Sequence, residues 1–110
     1  MAQGLYYKRD GTLYKEPNAV LKWGKDHQNR DIKIVKQEEL ENGYFISTVW
    51  LGIDHRFGEG KPLIFETMVF PPDSYQDQDM EHYSTEKEAI KGHKKMVSKW
   101  KNKLTPKGDK

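Results

Sequence analysis

Between Ile46 and Phe70 the chain reads ISTVWLGIDHRFGEGKPLIFETMVF, two runs of β-branched and aromatic residues around a short segment holding Gly58, Gly60 and Pro62. Apolar runs broken in this way predict two antiparallel strands with a tight connection. Upstream, Leu5-Tyr6-Tyr7 and Thr12-Leu13-Tyr14 flank Asp10-Gly11, a dipeptide that tolerates the positive φ of a hairpin turn, so a small N-terminal hairpin is expected. From Asn18 the pattern turns helical through Ala19, Val20, Leu21 and Trp23, with Asn18 as cap and Gly24 as stop. Residues 25–30 read as loop, and residues 31–36 alternate as a strand. Asn42-Gly43 then turns the chain into a further strand over 44–53, giving a three-stranded meander across residues 31–70.

After Phe70 the pattern breaks. Pro71-Pro72-Asp73-Ser74 cannot continue a central strand, because proline brings no N–H to the ladder, and the polar run through His82 reads as an exposed loop. Thr85-Glu86-Lys87-Glu88 has the form of a capping box. Ile90, His93, Val97, Trp100 and Leu104 follow at spacings of three and four, with Ala89 and Met96 beside them, which predicts an amphipathic helix with its lysines outward. Gly92 costs such a helix about 1 kcal/mol relative to alanine and marks close approach of the helix backbone to the sheet or a loop. Trp23, Trp50 and Trp100 are expected as core anchors. The expected fold class is α+β: an antiparallel meander of three or more strands, with the N-terminal hairpin, packed against a C-terminal amphipathic helix. Residues 1–104 form one domain in this reading, and residues 105–110 a basic flexible tail.

Composition narrows the class. A chain of 110 residues suits a single core. One third of the residues are charged, yet 12% are aromatic, which argues against disorder. The net charge of +2 does not imply a nucleic-acid partner, although residues 91–110 carry eight lysines against one aspartate. Trp100 is the single aromatic residue among those lysines, short of the interleaving that an RNA-binding motif requires, so nucleic acid is the less favoured partner. There is no cysteine, hence no disulfide framework, thiolate nucleophile or thiolate metal site. No window approaches the roughly 18 apolar residues of a spanning helix, and the N-terminus lacks a signal-peptide core, so a cytoplasmic protein without a membrane segment is expected.

Candidate chemistry sits inside the central apolar runs, where charged groups bury poorly unless paired, bonded or used. Asp54, His55 and Glu66 lie there, and His93 interrupts the apolar stripe of the terminal helix. A register that pairs Asp54 with Glu66 would set two carboxylates about 5 Å apart at Cβ on one face, with His93 converging on them from the helix. A slip of one residue would part them. Three readings follow. In one, Asp54 makes a turn at the start of the loop, Glu66 pairs with Arg56, Lys61 or His93, and the residues are structural. In the second, Asp54, Glu66 and His93 ligate a divalent metal and His55 is the catalytic base. In the third, Asp54, His55, Glu66 and His93 line a ligand-binding pocket without chemistry. The loop with Gly58 and Gly60 is not a phosphate loop, since it lacks the GK[ST] ending and opens no helix.

The stretch ISTVWLGIDHRFGEGKPLIFETMVF resembles a family of small proteins encoded in bacteriophages and prophages, whose core reads approximately STVFLGLDH, a short glycine-rich loop, and FETM followed by an aromatic. The matching positions are Ser47, Thr48, Val49, Leu51, Gly52, Asp54, His55, Phe57, Gly58, Phe65, Glu66, Thr67, Met68, Gly92 and His93. Trp50, Ile53, Lys61 and Pro71 depart from that pattern. The resemblance implies a phage setting, with the host cytoplasm as the location, and no particular chemistry. Small phage proteins without a catalytic signature are often binders, so the leading expectation is an accessory protein that binds a host protein or a small signalling molecule as an anti-defence factor. The alternatives are a metal-dependent hydrolase or nuclease using Asp54, Glu66, His93 and His55, with a divalent metal as cofactor, and a virion or assembly component.

Overall fold

Helices α1 (Ala19–Gln28) and α2 (Arg30–Lys33) precede strands β1 (Ile34–Glu39), β2 (Phe45–Trp50), β3 (Phe65–Phe70) and β4 (Asp79–Tyr83), and helix α3 (Glu86–Trp100) closes the chain. The computed structural model describes residues 6–15, 17–55 and 59–103. The expectations that rest on Leu5, Arg56, Phe57, Gly58, Leu104 and the tail from residue 105 lie outside the described residues. The strands form one antiparallel sheet in the order β1-β2-β3-β4, with α3 against it, so the molecule is α+β as the patterning predicts.

Side-chain alternation divides the sheet into two unlike faces. Ile46, Thr48 and Trp50 of β2 and Phe65, Thr67 and Val69 of β3 are buried toward α3, which answers with Ala89, Gly92, His93 and Met96. One cluster gathers Trp50, Ile64, Phe65, Ala89 and Tyr14; a second gathers Tyr44, Ile46, Val69 and Met96. Trp23 packs on the first and Trp100 on the second, so all three tryptophans are core residues. On the other face, Phe45, Val49, Glu66, Met68 and Phe70 are only partly covered. The capping box forms as expected: Glu88 N–H donates to the Thr85 hydroxyl, and the Glu88 carboxylate accepts from Thr85 N–H. The N-terminal hairpin also forms, through a Tyr7–Leu13 bridge with Gly11 at φ +95°, and a Tyr6–Ile53 bridge ties it to the chain beyond β2.

Four local expectations change. Gly24 does not end α1, which runs on to Gln28; no neighbour crowds the glycine, and its propensity cost is too small to stop a helix held by Trp23. Residues 31–33 belong to α2, whose Asn29 cap accepts from Asp31 N–H, so β1 starts at Ile34. The polar run before Tyr83 contains β4, an edge strand whose alternation is hidden because half of it is exposed. Ile90 is 42% exposed and lies off the buried stripe of α3. Among the described residues, no helix is long and apolar enough to cross a membrane.

Candidate functional site

Strand β2 stops at Trp50 for a steric reason. Gly52 adopts φ +77°, where a Cβ would strike the Trp23 and Trp50 rings, and Trp23 Nε1–H donates to the Leu51 carbonyl at 2.8 Å. The backbone therefore leaves the ladder before Asp54. The Asp54 carboxylate accepts from Leu63 N–H at 2.9 Å and His55 N–H donates to the Leu63 carbonyl at 2.9 Å, so these two residues close the base of the β2–β3 connection.

Glu66 consequently faces Val49 on β2 and His82 on β4, not Asp54. This corrects the register on which convergence depended. Glu66 shares the uncovered face with Met68 and Phe70, whereas His93 lies across the sheet under α3. The pairing of Glu66 is with His82: its carboxylate stands 3.1 Å from His82 Nε2, an ion-pair distance without the alignment of a hydrogen bond. The His82 ring in turn stacks on His55, with centroids 5.0 Å apart and planes at 15°. Among the described residues, no three histidine, aspartate or glutamate side chains stand together as a metal-ligating group. Asp54, Glu66 and His93 are thus distributed over three places.

His93 is 1% exposed and bonded at both nitrogens. Nδ1 meets the Thr48 hydroxyl at 2.7 Å, and Nε2 meets the Glu38 carboxylate at 2.7 Å. Thr48 continues to Thr67 at 2.5 Å. Beside it, burial holds the Tyr83 phenol above its ordinary pKa, with the Thr67 hydroxyl opposing. A file of hydrogen bonds thereby runs from Glu38 on β1 through His93 of α3 to Thr48 on β2 and Thr67 on β3. Its polar groups are mutually satisfied, which is what lets them lie in the core.

The residues that patterning did not reveal line a cleft of about 340 Å³ on the uncovered face. Its floor is Gln37, Ser47 and Val49 of the sheet; the ends of α1 and α2 bring His27, Arg30 and Lys33 over it, and Glu66 bounds the β3 side. Gln37 Nε2–H donates to the Ser47 hydroxyl at 2.8 Å. His27 stacks on Trp23, with centroids 5.0 Å apart, and lies against Trp50. Burial lowers its pKa first of all, the Lys33 charge adds to this, and a hydrogen bond to the Trp50 backbone opposes both. Its Nε2 has no hydrogen-bond partner among the described groups. The signal that would have found this cleft is the α2 turn, which converts Arg30 and Lys33 from loop and strand residues into neighbours on one helical face. Compared with models of known protein families, with curated proteins and with solved structures, the chain matches none of them.

Proposed function

We propose that the protein is a small accessory binding protein, of the phage kind its central motif resembles, and that it takes a small anionic signalling molecule in the cleft between α1–α2 and the uncovered sheet face. The observation that carries this reading is that unlike charged groups line one cleft: Arg30 and Lys33 from α2, and the Glu66 carboxylate from β3. Cations suit a phosphate, and a carboxylate accepts from ring or exocyclic N–H groups. A nucleotide carries both. The size of the cleft falls within the range of ligand pockets.

Thermal unfolding against linear and cyclic nucleotides, with inorganic phosphate as control, tests it. A ligand present at about one hundred times its Kd should raise the Tm by about 10 °C, and Arg30→Glu with Lys33→Glu should abolish the shift. No shift with any nucleotide would defeat the proposal.

A second reading draws on the Glu66, His82 and His55 group beside the cleft. A carboxylate next to an imidazole is suited to acid–base work on a bound phosphodiester, with His82 rather than His55 nearest the acid. Turnover of a bound nucleotide, lost in His82→Gln while binding persists, would favour this hydrolase.

A further inference from the structure

We propose that the groove between β4 and α3 docks an extended acidic segment of a protein partner, laid along β4 as a fifth strand. The groove encloses about 680 Å³. It is separate from the cleft considered above, since its second wall is α3. β4 ends the sheet order, and an end strand presents backbone groups that no further strand pairs.

The direction of α3 makes the groove a track. Ala89 packs beside Trp50 and Phe65, and Met96 beside Ile46 and Val69, so the helix runs antiparallel to β2 and β4. Lys91, Lys95 and Lys99 follow at intervals of four along its groove side. Such a row rises about 6 Å per step, close to the roughly 6.6 Å between alternate residues of an extended strand. Acids at every second position of an incoming strand therefore meet successive lysines. The molecule already makes one such contact: Lys99 Nζ donates to the Asp79 carboxylate at 2.7 Å, joining the last lysine of the row to the first residue of β4.

Tyr83, Gly92 and Met96 supply a mixed apolar floor. Gly92 keeps it low, because the Tyr83 ring lies where a Cβ would stand. Glu81 and Glu88 stand on the same walls, although Glu88 is engaged by the N–H groups of Ser84 and Thr85. Those carboxylates disfavour a continuous phosphate backbone and tolerate a chain whose acids are spaced, which selects a peptide over a nucleic acid.

The test uses the full chain, a short fluorescein-labelled peptide alternating valine and glutamate, its lysine-for-glutamate counterpart, and labelled oligothymidylate. The acidic peptide should bind saturably and shift the backbone amide resonances of residues 79–83. Lys91→Glu with Lys95→Glu, both exposed positions, should weaken it about tenfold or more without lowering the Tm appreciably. Lys91→Gln with Lys95→Gln should give a smaller loss in the same direction. Failure of the acidic peptide to saturate, equal binding of its basic counterpart, or tighter binding of oligothymidylate without a response in β4 would each overturn the docking surface.

Discussion

At Gly92 a single methyl group separates a packed interface from a clash. Its absence lets the Tyr83 ring lie against the helix backbone, so Gly92→Ala should destabilise the fold by about 1 to 3 kcal/mol, as overpacking does. Denaturant unfolding should show most of that loss disappearing in a Tyr83→Leu background, where the ring that collides is gone. The hydrogen-bond file offers a second residue-scale test. Thr48→Val leaves both His93 Nδ1 and Thr67 short of a partner and should cost about 1 to 3 kcal/mol. Thr48→Val combined with Thr67→Val should cost less than the sum, because the second change removes a group the first has orphaned. Among single residues, Gly92 was legible, since an unfavourable glycine in an otherwise strong helix needs a packing reason. His93 was legible only as an anomaly in an apolar stripe: its partner Glu38 is 55 positions away and looks like an ordinary surface glutamate. Asp54 and Glu66 failed together, because one turn residue, Gly52, ends the ladder early and no periodicity in the apolar run reports that.

The elements that were legible are those with their own local chemistry. The capping box and the Asp10-Gly11 and Asn42-Gly43 turns form where they are written, and the β-branched runs become strands, although the one expected over 44–53 ends at Trp50. β4 and α2 were not legible, since a half-exposed edge strand and a single helical turn bury too little to leave an apolar period. What joins elements is harder still to see. Arg9 in the N-terminal hairpin forks onto the Glu86 carboxylate, Nε to Oε1 and Nη2 to Oε2 at 2.8 Å each, and Nη1 donates to the Ile32 carbonyl at 2.9 Å. One guanidinium thus ties the hairpin, α2 and the first turn of α3. The Arg9 hydrogen bonds, opposed by burial, hold Glu86 below its ordinary value of 4.5. A carboxylate depressed in the folded state stabilises above its unfolded pKa, and the contribution drains away as pH falls through the folded one. Stability should therefore decline below about pH 4.5, and Arg9→Met should be less stable at neutral pH yet flatter over that acidic window. Hydrogen exchange in Arg9→Met should rise first in residues 6–14, since a fork replaced by an alkyl chain frees the hairpin before the sheet.

For the whole molecule, the decisive asymmetry is between a helix-covered face whose buried Thr48, Thr67 and His93 are bonded to one another and an uncovered face where the buried Nε2 atoms of His27 and His82 make no hydrogen bond among the described residues. His27 couples the second face to pH. Burial, followed by the Lys33 charge, depresses its pKa below 6.5. The folded protein consequently favours the neutral ring, and this stabilisation is complete above pH 6.5 and is lost as pH falls toward the depressed value. A phosphodiester lodged between Arg30, Lys33 and His27 would reverse the balance, because a nearby anion favours the imidazolium. Binding would then take up a proton. The affinity for a cyclic nucleotide, whose own charge is constant in this range, should rise between pH 7.5 and pH 6, while the ligand-free protein starts to lose stability only as pH falls below about 6.5. His27→Phe keeps a ring to stack on Trp23 and cannot titrate, so it should flatten both curves. Calorimetry in two buffers of different ionisation enthalpy reads the proton uptake directly, and an affinity that does not change with pH in the unaltered protein would remove the anion from the side of His27.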